Sequence, residues 1–184
     1  MALGIPVAIA LGGSAMAYIL ADGGLSLTLL VQTTFAGMSS FPLLAVPLFM
    51  LAGNLMNEGG ITGDLVRFAR LSMGHISGGL GLATILATAI FAAISGSAVA
   101  TAVALGAVMI PAMRGAGYDE EVAASVTATA SCMGPIIPPS IPFIIYGVIA
   151  NVSISALFLA GVVPGLLLGA VLMGYVVLVA RRRN

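Results

Sequence analysis

From Ala156 to Ala180 the chain carries no charged side chain, and it then meets Arg181-Arg182-Arg183. About 20 apolar residues in helix match the hydrocarbon thickness of a bilayer, so this segment predicts a membrane span. The rest of the chain agrees. It is 60% hydrophobic and 7% charged, with a mean hydropathy of +1.20. Soluble domains carry about 25% charged residues. In water this chain would expose large apolar patches and aggregate. Its 184 residues provide for about five or six apolar segments of spanning length.

Polar interruptions divide the sequence into an all-α membrane protein, a multi-span helical bundle in one domain over 1–184. Segments of spanning type are expected at Leu3–Ala21, Phe41–Met56 and Ala156–Ala180. Ile76–Met113 and Val122–Ala150 are expected as one hairpin and one broken span. Asp22-Gly23-Gly24 closes the first segment. Its core, Val7–Ala21, is short for a full crossing, so residues upstream of it are expected. No positive region or cleavage site marks a signal peptide. Leu25–Ser40 is uncharged and semi-polar and fits either an interfacial helix or a loop. Ile61–His75 mixes Asp64, Arg67, Arg70 and His75 with apolar residues at helical spacing, the pattern of an amphipathic helix lying at the interface. Arg114–Glu121 reads as a charged loop.

Topology follows from arginine, since cytoplasmic loops concentrate Lys and Arg. With Arg181–Arg183 inside, counting spans backward also places Arg114, Arg67 and Arg70 inside. All six arginines then share the cytoplasmic face, and there is no lysine. Ile76–Met113 leaves and returns to that face, which two full spans or a re-entrant hairpin turning at mid-membrane would both do. Its turn, Ser95-Gly96-Ser97, is tight and has no charged or aromatic anchor, so the segment is read as a re-entrant helical hairpin.

The second interruption is Gly134-Pro135-Ile136-Ile137-Pro138-Pro139-Ser140, which makes Val122–Ala150 a Pro-broken helix. Proline removes a backbone donor and clashes with the preceding turn. Such freed backbone is tolerated at membrane depth only where protein encloses it. Helix C-termini and unwound carbonyls suit a cation, and helix N-termini suit an anion. Ser95, Gly96, Ser97, Gly134, Ile137 and Ser140 therefore form the expected site for a small hard cation such as Na⁺, built from hydroxyls and carbonyls. Ser97 is also placed to cap the helix that follows. A lone Pro or Gly in a membrane helix usually only kinks it; two interrupted segments together point to a transporter site.

Other features have plainer readings. Cys132 excludes an intramolecular disulfide and a Cys-based metal site, and reads as a small buried hydrophobe. Asp119, Glu120 and Glu121 sit where a helix starts and suit its dipole better than a metal. Gly161, Gly165 and Gly169 form a small-residue ridge for close packing against an intramolecular neighbour or a partner subunit. A serine-protease reading of Ser95-Gly96 fails, because His75 would lie about 30 Å away along a helix rising about 1.5 Å per residue. The chain has no other His and no Lys to act as base. Net charge is zero, without a basic stripe, so no nucleic-acid partner is expected.

Several motifs occur together in one order: Phe41–Met56 (FPLLAVPLFMLAGNLM), Ser95-Gly96-Ser97-Ala98-Val99-Ala100, Ile110-Pro111-Ala112-Met113, Gly117-Tyr118-Asp119, and Gly134–Pro142 (GPIIPPSIP). In these the sequence resembles the large permease subunit of TRAP (tripartite ATP-independent periplasmic) transporters, over nearly the whole chain. The resemblance implies the first inverted repeat of an elevator-type, Na⁺-coupled importer of organic acids such as C4-dicarboxylates or sialic acid. It further implies a multi-pass protein of the bacterial inner membrane, not an enzyme. Its partners would be a small permease subunit, a periplasmic substrate-binding protein and membrane lipid. Ser97, Thr101, Pro138 and Pro139 would lie beside the substrate, and Phe41–Met56 and Ile61–His75 would belong to the scaffold. One departure matters: where the family's hairpin commonly carries Asp, this chain has Thr101, which predicts weaker support for the tip or its ion. The second repeat is not present in this sequence, so the site is expected to be incomplete. The alternative is a non-transporting structural or assembly subunit, or a truncated remnant.

Overall fold

A computed structural model describes residues 5–23, 26–76 and 78–183, with side chains as far as residue 181. Leu3, Gly24, Leu25 and the side chains of Arg182 and Arg183, all invoked above, lie outside the described residues. Among the described residues there are nine α-helices and no strand. They are α1 Val7–Asp22, α2 Leu27–Met38, α3 Phe41–Glu58, α4 Ile61–Met73, α5 Gly79–Ser95, α6 Ala98–Gly115, α7 Glu120–Ser131, α8 Ile141–Ala150 and α9 Ile154–Arg183. By length and composition α3, α6 and α9 can each cross a membrane.

The chain forms two compact units, divided between Leu44 and Ala45. In the first, α1 and α2 pack against each other. Gly23 ends α1 at φ 66, donating its N–H to the Ile19 carbonyl, a left-handed cap that glycine adopts without steric cost. Leu27–Met38 is helical, which resolves the open choice between helix and loop. No charge or alternation in that stretch had marked its face.

The second unit is built around α5, against which α4, α6, α7 and α9 all pack. That central position explains why α5 is apolar or small on every side: Leu82, Ala83, Ile85, Ala87, Phe91 and Ala92 are all buried. One core joins Val66 and Ala69 of α4 to Ala83, Ala87 and Phe91 of α5 and Leu105 and Met109 of α6. A second joins Ile85 and Ala92 to Ala130 and Met133, covered by Leu168, Leu172 and Val176 of α9. The first core packs α4 directly against α5 and α6.

Three details differ from the sequence reading. The charged loop expected at Arg114–Glu121 shrinks to residues 116–119. Arg114 ends α6, Glu120 starts α7, and their side chains pair across the turn at 3.4 Å. Glu120 and Glu121 occupy the first turn of α7, where the dipole favours them. Cys132 is exposed rather than buried, its thiol 3.7 Å from the Ala128 carbonyl. The glycine ridge of α9 serves intramolecular neighbours. A Cβ at Gly161 would come within 2.6 Å of the Ile136 carbonyl, one at Gly165 within 2.7 Å of Ile137 Cγ1, and one at Gly169 within 3.4 Å of Met133 Sδ.

Candidate functional site

The α5–α6 turn and the segment linking α7 to α8 meet. Gly96 ends α5 at φ 59, in the left-handed region, and donates its N–H to the Ala92 carbonyl. Ser97, in extended conformation, opens α6 and accepts a hydrogen bond from the Ala100 N–H through its hydroxyl, as expected of a cap. Ser140 repeats this arrangement at α8. It is extended (φ −121, ψ 123), and its hydroxyl accepts from the Phe143 N–H and donates to the Pro135 carbonyl at 2.6 Å. Both prolines expected in the break lie in this linker, joined by a cis Pro138–Pro139 peptide bond.

Glycine permits the two segments to touch. A Cβ at Gly96 would sit 2.7 Å from the Pro139 carbonyl oxygen, and one at Gly134 would sit 2.7 Å from the Ser97 carbonyl carbon and 2.8 Å from the Ala98 nitrogen. The Ile141 N–H donates to the Gly96 carbonyl at 3.3 Å, a direct backbone link between tip and linker. The residues singled out from sequence thus divide. Ser95, Gly96, Ser97, Thr101, Gly134, Pro139 and Ser140 come together. Ile137 turns its side chain toward Gly165 of α9.

Thr101 braces the tip from within. It is fully buried; its hydroxyl donates to the Ser97 carbonyl at 2.7 Å and lies 2.7 Å from the Ser95 hydroxyl. With the Thr101 proton committed to Ser97, Ser95 donates to Thr101. The position where the family commonly carries a carboxylate thus makes two short hydrogen bonds within the tip.

Four helix ends gather at this junction: the C-termini of α5 and α7 and the N-termini of α6 and α8. Their partial charges favour a cation beside the first pair and an anion beside the second. The donor set is hydroxyl and carbonyl oxygen, suited to a hard cation. No cluster of three or more His, Cys, Asp or Glu occurs among the described residues, so these side chains form no transition-metal site.

A cavity of about 450 Å³ opens from the tip toward α3. Ser95, Ser97, Ile141, Gly53, Asn54 and Asn57 are among its lining residues, and none of the lining residues is charged. Gly53 is buried, with Ser95 Cα 3.7 Å from where its Cβ would be. Asn57 Oδ1 accepts a hydrogen bond from the Thr62 hydroxyl at 3.1 Å, which orients its amide. Asn54 and Asn57 escaped the sequence reading. The available signal was two amides three apart, hence on one face of an otherwise apolar helix.

Helices of spanning length, with polar backbone gathered where helices are interrupted, define an all-α membrane protein. The whole chain, residues 1–184, matches the family model for the tripartite ATP-independent periplasmic transporter, DctM component. It is 44% identical over 184 residues to the isethionate TRAP transporter permease protein DctMQ of Oleidesulfovibrio alaskensis, covering 100% of this chain and 29% of that protein. It is 42% identical over 181 residues to the sialic acid TRAP transporter large permease protein SiaM of Vibrio cholerae, covering 98% and 42%. It is also 42% identical over 185 residues to the C4-dicarboxylate TRAP transporter large permease protein DctM of the same organism, covering 100% and 41%. The chain belongs to the DctM family of TRAP transporter large permeases. It spans less than half the length of these relatives.

Proposed function

We propose that this chain forms the first inverted repeat of a Na⁺-coupled TRAP-type importer of organic acids, such as C4-dicarboxylates or sialic acid, in the bacterial inner membrane. In this reading it works with a small permease subunit and a periplasmic substrate-binding protein. The observation that carries the reading is the junction of the α5–α6 tip with the 132–140 linker, where four helix ends and three serine hydroxyls converge. Residues from Ser95, Gly96, Ser97, Gly134 and Ser140 would hold Na⁺, and the ion would supply positive charge beside an acidic substrate. The substrate would occupy the cavity between the tip and Asn54 and Asn57. Thr101 then acts by supporting Ser95 and Ser97 and does not touch the substrate.

The re-entrant reading of the hairpin rests on burial. Ser95 and Gly96 at the turn are buried against Pro139 and Ile141, whereas a loop emerging into water would leave its polar groups solvated. α5 has 17 residues, a length of about 26 Å at about 1.5 Å per residue, short of a hydrocarbon core about 30 Å thick. α6 alone is long enough to cross, but its N-terminus is fixed at the buried tip.

In the complete permease, assayed with its binding protein, Ser95→Ala and Ser97→Ala should each weaken apparent Na⁺ affinity by about tenfold, equivalent to about 1.4 kcal/mol. Uptake that keeps its Na⁺ dependence in both variants would overturn the ion site. For topology, single cysteines at Arg67, Arg114 and Arg182 should react with an impermeant thiol reagent only from the cytoplasmic face. Labelling from the periplasm at any of the three would reverse the assignment.

A further inference from the structure

A second cavity, of about 720 Å³, lies on the other side of the same unit, between α4 and α6. Gly63, Arg67, Arg70 and Gly74 of α4 line it at spacings of four, three and four, which is one face of a helix. Leu80 and Val108 supply apolar wall. The core stripe of α4, Val66 and Ala69, runs directly beside this face, and Val66 itself forms part of the cavity wall. Neither arginine has a hydrogen-bond or ion-pair partner among the described residues. The nearby Arg114, by contrast, is paired with Glu120. Asp64, in the first turn of α4, pairs with neither. Two guanidinium groups therefore line one open cavity with no acidic partner among the described residues. Leu80 sits in the first turn of α5, whose cap, Gly78, offers no side chain to its N–H groups, so the positive end of that helix adds to the same field.

Apolar surface adjoins this charge. Leu71, itself lining the cavity, is 76% exposed, and Phe68 is 57% exposed. A soluble anion would satisfy the arginines and leave these side chains bare. A phospholipid satisfies both, with phosphate against the arginine pair and acyl chain along Leu71 and Phe68. Paired guanidiniums suit phosphate because each presents a planar fork of donors to its oxygens.

We infer that the α4–α6 cavity binds the headgroup of an anionic glycerophospholipid through Arg67 and Arg70. The inference rests on α4 lying at the membrane interface and is independent of transport. It accounts for two arginines, without an ion-pair partner among the described residues, on the face of α4 beside its core.

The test is native mass spectrometry of the complete permease carrying this chain, in detergent, titrated with phosphatidylglycerol or with phosphatidylcholine of the same acyl chains. Phosphatidylglycerol should bind about tenfold more tightly, in line with roughly one factor of several per arginine near a phosphate. Arg67→Gln/Arg70→Gln should abolish that preference, while Arg114→Gln keeps it. Should the double glutamine variant elute as misfolded protein, Arg67→Ala and Arg70→Ala singly should each lower the preference by about threefold. Equal binding of the two lipids, or a preference surviving loss of both arginines, overturns the site. Displacement of phosphatidylglycerol by millimolar inorganic phosphate would show a plain anion site and also overturn it. So would loss of a co-purifying protein in the double variant with lipid adducts unchanged. If the parent permease shows no lipid preference while Na⁺-dependent uptake is retained, the lipid site falls and the transporter reading stands.

Discussion

Gly134→Ala is expected to reduce Na⁺-dependent uptake by the complete permease by about tenfold or more and to lower its thermal midpoint by several degrees. The added carbon would press on the Ser97–Ala98 peptide group: the Ser97 carbonyl carbon at 2.7 Å, and the Ala98 nitrogen and Ser97 oxygen at 2.8 Å. Backbone cannot rotate aside as a long side chain can, so the linker must lift off the tip. Inserting one carbon into a filled space costs about 1–3 kcal/mol, and here the strain falls on the proposed ion site. Gly115→Ala is the control, because nothing lies within 4 Å of its added carbon; stability there should hold or rise slightly. If uptake and melting by Gly134→Ala match the parent protein, close approach of the two segments is not required for function.

Thr101→Val is expected to have the next largest effect. Valine keeps the shape and deletes the hydroxyl. That removes the two short hydrogen bonds at the tip and leaves Ser97 and Ser95 with longer ones, from the Thr101 N–H to the Ser97 carbonyl at 3.1 Å and between Ser95 and Ser97 at 3.4 Å. A typical hydrogen bond contributes about 0.5–1.5 kcal/mol. Apparent Na⁺ affinity should fall with uptake, and Thr101→Ser, which restores the hydroxyl, should recover most of both. Equal behaviour of the valine and serine variants would reduce Thr101 to a packing role.

These two positions show what could be read from sequence and what could not. The interruptions at residues 95–97 and 134–140 were legible because proline, glycine and serine impose local backbone behaviour inside an apolar span. The caps formed by Ser97 and Ser140, and the ridge of Gly161, Gly165 and Gly169, follow from the same local rules. Which glycine meets which backbone atom was not legible. Gly96 against Pro139 and Gly134 against Ser97 are contacts between segments nearly forty residues apart, and sequence spacing says nothing about them. Asn54 and Asn57 were overlooked for the same reason: their significance lies in facing Ser95 across a cavity. The hydrogen bonds of Thr101 to Ser95 and Ser97 need the folded tip to be seen. Val66 and Ala69 look like the apolar side of any amphipathic helix until their partners on α5 and α6 are known.

The seating of Gly96 on Pro139 and of Gly134 on Ser97 also limits how such a device can open. A flap needs clearance behind it. Behind this hairpin there is none: main chain rests on main chain, with the Ile141 N–H fastened to the Gly96 carbonyl. Swinging the tip away from the linker, or sliding it along, meets collision in one direction and a broken backbone hydrogen bond in the other. The tip of α5 and α6, the linker and the start of α8 are thus fastened into one packed piece, whereas on the opposite wall of the cavity Gly53 of the largely exposed α3 makes only ordinary van der Waals contact with Ser95.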